Sequence, residues 1–136
     1  MAAISITPAN VVAGANATRD SGTAGEAITA GQTVYLSSTT NRWMLADTNS
    51  PTAEARVAKG IALNGAAANQ PVAVLKDGDL TIGATLTKGV GYYLGGAPGS
   101  IVPVADLTTG DYTCFLGIAK STSVLAVKIQ SAGVAL

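Results

Sequence analysis

Short runs of Val, Ile, Leu and Tyr alternate with Gly, Thr, Ser, Asn and Pro along the whole chain, and helical spacing of apolar positions is almost absent. Runs of this length between turn-forming residues predict an all-β protein. Strands are expected near Ala2–Ile6, Thr33–Ser37, Arg42–Ala46, Ala58–Leu63, Val72–Leu75, Leu80–Ile82, Gly91–Leu94, Ile101–Val104, Tyr112–Lys120 and Val124–Gln130. One helical turn is expected at Pro51–Arg56, with Ser50 as N-cap and Pro51 at the first helical position. Residues 7–30 are small and polar, so they read as a flexible arm that orders by pairing with something else.

The pattern repeats. Thr23-Ala-Gly25-Glu-Ala-Ile28-Thr29-Ala-Gly31-Gln-Thr-Val34-Tyr35-Leu36 aligns without gaps onto Thr81-Ile-Gly83-Ala-Thr-Leu86-Thr87-Lys-Gly89-Val-Gly-Tyr92-Tyr93-Leu94, 58 positions on. Ala46-Asp47 then matches Ala105-Asp106, Gly60-Ile61-Ala62 matches Gly117-Ile118-Ala119, and Val72-Ala73-Val74 matches Leu125-Ala126-Val127. Ordered matches with drifting spacing are what a duplication leaves when only loops shorten. Gly31 and Gly89 would set the turn into each Tyr-Leu strand. A return strand follows, carrying Trp43 and Leu45 in one copy and Ile101 and Pro103 in the other. Pro103 places its strand at an edge or a bulge. Each copy is then a four-stranded half-sheet unable to cover its own apolar face. Two such halves, related by approximate two-fold symmetry, would close into a small β-sandwich or partly closed β-barrel. The expected organisation is an extended arm over 1–22 and a β domain over 23–136, with repeat one at 23–75 and repeat two at 81–130.

Composition narrows the chemistry. A chain of 136 residues suits one domain whose core needs no metal or disulfide. Aromatic residues make up 4% and charged residues 12%, with eight basic residues balancing eight acidic ones. Zero net charge without basic clusters argues against nucleic acid and against a membrane surface. No apolar run approaches the ~20 residues that span a bilayer. The start MAAISITPAN lacks the charged beginning and apolar stretch of a signal peptide, so the product is expected in the cytoplasm when made. A surface this poor in charge suits a protein that ends up against a partner.

Candidate sites for chemistry are few. Histidine is absent, which removes the commonest general base and metal ligand. Cys114 is the single cysteine and sits in an apolar run, so a buried, inert thiol is expected. Asp77 and Asp79 flank Gly78, a spacing open to a Ca²⁺ loop or an acid/base pair, but Asp-Gly between apolar runs favours a hairpin turn. Asp106 and Asp111 read as turn and cap residues. Residues 95–100, GGAPGS, lack the lysine and following helix of a phosphate loop. Lys59 and Lys120 flank the two Gly-Ile-Ala strands as solvated edge residues. Neither a catalytic set, a metal site nor a cofactor is expected. Trp43 is open to three roles: core plug, sugar platform or anchor for a partner protein.

With its repeat, the chain resembles the capsid decoration, or cement, proteins of tailed bacteriophages. The resemblance spans roughly residues 20 to 130 and rests on TAGEAITAGQTVYL, MLADTNS and KGIAL, followed by TIGATLTKGVGYYL, PVADLTT and LGIAK. It implies a structural virion protein on the capsid exterior that bridges neighbouring subunits of the major capsid protein and holds the shell against packaged DNA. Homo-oligomer or lattice contacts between copies are expected alongside. Ile4 and Ile6 could add a strand to a neighbouring sheet edge, so partner contacts are expected at Ile4, Ile6 and Trp43. The rival readings are a carbohydrate- or receptor-binding module of a phage fibre, built on Trp43 and the Tyr92-Tyr93 pair, and a glycosidase working with carboxylates alone.

Overall fold

The computed structural model describes residues 3–135, and they form an all-β protein with no α-helix among them. In chain order the strands are β1 (Val12–Ala13), β2 (Thr18–Thr23), β3 (Thr33–Leu36), β4 (Trp43–Leu45), β5 (Gly60–Ala62), β6 (Pro71–Thr81), β7 (Gly91–Leu94), β8 (Ile101–Pro103), β9 (Tyr112–Ala119) and β10 (Val124–Ala135). They join in one antiparallel sheet, ordered β4-β3-β5-β6-β10-β9-β7-β8, which curls into a half-barrel. Strands β1 and β2 pair with β6 off this path. Short 3-10 turns occur at Pro8–Asn10, Ala53–Arg56 and Val104–Asp106. The helical turn expected at Pro51–Arg56 is the second of these; it starts later because the Ser50 hydroxyl accepts from the Thr52 N–H and forms its own turn first.

The duplication is written into the hydrogen bonds. Val34 faces Leu45 across β3–β4, and Tyr92 faces Pro103 across β7–β8. Gly31 N–H donates to Ala62 O at 2.8 Å, and Gly89 N–H donates to Ala119 O at 2.8 Å. Both glycines hold positive φ (94° and 84°), the left-handed turn that resists side chains. The β2–β6 ladder sets Gly22 against Val72, and the β6–β10 ladder sets Leu80 against Leu125, as the sequence alignment requires. One register differs. Ala62 faces Val74, whereas Ala119 faces Leu125, so the closing strand has slid by two residues against its Gly-Ile-Ala neighbour. A slip of two keeps every side chain on its own face. Pro103 sits on β8, at the end of the strand order, where a missing donor costs no ladder bond.

Two expectations need correction. The Asp77-Gly78-Asp79 segment is not a hairpin; it lies inside the continuous 11-residue strand β6. Gly78 takes φ 103°, and a Cβ there would stand 2.7 Å from both Ala17 Cα and Asn16 O. The glycine makes room for the turn between β1 and β2, and Asn16 Oδ1 accepts from Asp79 N–H. The first part of β6 closes repeat one and the second part opens repeat two, so each half has five strands rather than four. The fifth strand of repeat one is β2, which lies largely within the segment read as an arm. Thr18–Thr23 pair with β6 along the whole strand, supplying the edge that Lys76–Thr81 supply in the other half.

The core follows from this arrangement. On one face of the first half, Ala24, Ile28, Val34, Trp43, Val72 and Val74 form a small cluster of their own. Its counterparts in the second half, Ile82, Leu86, Tyr92, Ile101 and Leu125, belong to the main core together with Ile61 and Leu75 from the first half's opposite face. The first half therefore lays its second face on the second half. Burying each large aliphatic side chain in this core contributes roughly 1.5–3 kcal/mol.

Candidate docking face

The residues singled out for partner contact lie elsewhere than on an open surface. Trp43 is 3% exposed and fills the small cluster, so of its three roles the fold gives it the core. Gly22 makes this possible, since a Cβ there would stand 2.7 Å from the indole Nε1. Ile4 and Ile6 are half-buried against the protein's own core. Ile4 N–H donates to Ile101 O (2.9 Å), and Ile6 packs over Gly31. The strand expected at Ala2–Ile6 is not formed: Ala2 lies outside the described residues, and residues 3–7 run without a ladder of their own.

Six of the carboxylates are engaged within the protein itself. Asp20 accepts from Ser21 N–H, Glu26 from Leu45 N–H, Asp47 from Asn49 N–H and Glu54 from Ser38 N–H. Asp111 accepts from the Thr108 N–H and hydroxyl, the turn role expected of it. Asp79 pairs with Lys120 at 2.5 Å. Among the described residues no group of His, Cys, Asp and Glu is placed to hold a metal. Cys114 is buried; desolvation pushes its thiol pKa up, partly offset by a hydrogen bond with the Ala58 backbone and by the Lys59 charge. The Tyr35 hydroxyl is pushed up as well, first by burial and then by Glu54, Glu26 and Asp47. Such a thiol stays protonated and unreactive at neutral pH.

Four large apolar side chains among the described residues stay exposed, Val12, Leu36, Val104 and Ile118, and the last stands on a face whose twin is sealed. Ile61 of the first Gly-Ile-Ala is fully buried, whereas Ile118 of the second is 49% exposed. Gly60 and Gly117 are both tight against the closing strand, where a Cβ would meet Val74 Cγ1 and Ala126 O, each at 2.2 Å. The two tripeptides thus point the same way in their sheets, but Ile61 faces Leu75 and Ile118 faces Ala126, and only the first is covered. Around Ile118, the cross-strand neighbours Gly91 and Ala126 continue the face, and Phe115 pairs with Tyr93 and Gln130. The Tyr93 and Phe115 rings meet edge to face, 5.4 Å between centroids and 67° apart. An open depression of about 290 Å³ lies beside them, lined by Tyr93, Thr113, Phe115, Gln130 and Ser131. No charged side chain lies among these residues, but the next position of the row, Asp79 opposite Ala126, is charged and pairs with Lys120. Alternation along β9 holds the signal for this face, but it does not say which of the two matching faces stays bare.

No family model, curated protein or solved structure matches the chain.

Proposed function

We propose that this chain is a structural virion protein that binds the outside of a tailed-phage head and bridges neighbouring major capsid subunits to stabilise the shell. After synthesis in the host cytoplasm it would join the capsid exterior. The observation that carries this reading is the bare sheet face around Ile118. Its counterpart in the first half is an internal protein–protein contact, and it is apolar and uncharged at its centre. Covering the exposed half of Ile118 contributes about 1 kcal/mol. The face is too small for tight binding by a single copy. On a lattice, many weak contacts sum through effective concentration. The sequence resemblance to decoration proteins points the same way.

Cosedimentation of the purified protein with DNA-filled heads lacking it tests the proposal. Saturable binding is expected, together with higher resistance of the heads to heat. The Ile118→Lys variant should bind about tenfold more weakly, a loss of roughly 1.4 kcal/mol per contact, while remaining folded. Equal binding of wild type and Ile118→Lys would remove this face from the interface. A carbohydrate-binding role is the second reading, favoured by the Tyr93–Phe115 pair beside Thr113, Gln130 and Ser131. Glycan-array binding lost in Phe115→Ala, with no affinity for heads, would select it instead.

A further inference from the structure

The two halves also differ in how the strand after each Thr-x-Gly is met. In the first half Gly25 lies directly on β4, its N–H donating to Trp43 O at 2.8 Å. The matching residues of the second half are Gly83 and Ile101, and there the N-terminal segment bridges the gap. Ile4 N–H donates to Ile101 O (2.9 Å) and Thr7 N–H to Gly83 O (2.8 Å). A Cβ on Gly83 would stand 2.5 Å from Thr7 O. The second half is thus open by the width of one strand, and residues 4–7 occupy the opening. Where the first half fills its volume with the Trp43 indole, the second has the smaller Ile101 and borrows Ile4 and Ile6.

The borrowed segment is lightly held. Ile4 and Ile6 remain half-buried, and an open groove of about 220 Å³ runs beside them, lined also by Thr29, Gln32 and Pro98. An exposed single turn, Pro8–Asn10, joins the segment to Val11, which is anchored in the core. From these features we infer that the slot between Gly83 and Ile101 is a strand-acceptor site whose partner in trans is the N-terminal segment of a second copy of this chain. The segment already fits the slot residue by residue, so exchange between copies keeps the same contacts and changes only the connection through the hinge. Residues 4–7 carry no charge and the chain has zero net charge, so no repulsion opposes the approach. Crowding of copies on any surface raises the effective concentration and favours exchange. This linkage between copies stands whether or not the chain binds a phage head.

The test uses a fluorescent peptide of residues 1–10 and the full-length chain. In the Ile6→Asp chain the resident segment is weakened while the slot is untouched. The wild-type peptide should therefore bind that variant about tenfold more tightly than it binds the wild-type chain. Wild-type chains should form dimers at high protein concentration, and Ile6→Asp chains should not. A folded Ile6→Asp chain, verified by buried Trp43 emission, that leaves the peptide unbound overturns the inference. Hydrogen exchange on the wild-type protein gives an independent reading if the variant does not fold. The Ile4 and Thr7 amides should exchange about a hundredfold faster than those of Leu75 and Leu80, as a segment that opens locally must. Equal protection overturns the inference, because a segment that never leaves its slot cannot be exchanged.

Discussion

Ile61 and Ile118 are the same residue in the same tripeptide, the one facing Leu75 and covered, the other facing Ala126 and bare, and their consequences on substitution should differ widely. Ile61→Ala opens a cavity in the main core and should cost about 2–5 kcal/mol. Ile118→Ala removes half-solvated surface and should shift stability by no more than about 0.5 kcal/mol. Urea unfolding of the two variants measures the difference, and similar losses would mean that Ile118 is covered in the native state. Cys114 supplies a second prediction at this scale. Its folded pKa is raised above the ordinary 9.0. Below that value the thiol is neutral in both states and stability is undiminished. Above it the unfolded chain ionises first, so stability falls as pH rises toward the folded pKa. Urea midpoints between pH 7.5 and 10 should therefore decline, and less steeply in Cys114→Ala. Tyr35, shifted in the same direction, should maintain part of the slope in that variant.

At the scale of elements, β6 is the spine of the molecule. At Leu75 it is flanked by Ile61 on one side and Arg19 on the other, and at Leu80 by Leu125 and Ala13. Dependence on β6 changes what an N-terminal truncation should do. Deleting residues 1–22 removes nearly all of β2, leaves the edge of β6 unpaired over Pro71–Asp77 and uncovers the cluster around Trp43. Such a chain should aggregate or melt well below the intact protein, as unpaired edges do, whereas deletion of residues 1–7 should leave a folded domain. Differential scanning calorimetry of the two truncations tells them apart; a stable 23–136 fragment would show that β2 is dispensable. The strand stayed hidden in the sequence because Thr-Arg-Asp-Ser-Gly-Thr has neither an apolar alternation nor a bulky side chain. Its place is fixed by the backbone of β6 and not by its own burial. Likewise, Asp77-Gly78-Asp79 has turn chemistry, and the positive φ of Gly78 is real, but the glycine serves a close backbone approach within a strand.

For the whole molecule, the proposed docking face makes a claim about the force involved. With no charge among Gly91, Tyr93, Phe115, Ile118 and Ala126, attachment to a head should be hydrophobic. Raising salt from about 0.05 to about 0.5 M compresses the screening length several-fold, yet it should change the affinity for heads by less than about twofold. Cosedimentation across that range is the measurement. A steep decline with salt would place the contact on the lysines or the acidic turns instead.

The sequence by itself determined the all-β class, the internal repeat, the turns at Gly31 and Gly89 and the restriction of Pro103 to an edge or a bulge. These depend on local chemistry: turn residues, β-branched runs and a proline without a donor act over a few positions and leave their mark twice. It also placed Asp111 in a turn, whereas the turn expected at Asp77-Gly78-Asp79 is a strand. Only the tertiary structure decided that Trp43 is core, that β2 belongs to the sheet, and that one Gly-Ile-Ala face is bare while its twin is sealed. Burial is a relation between distant segments: the first half can lie on only one face of the second, and identical tripeptides carry no record of which one will be covered.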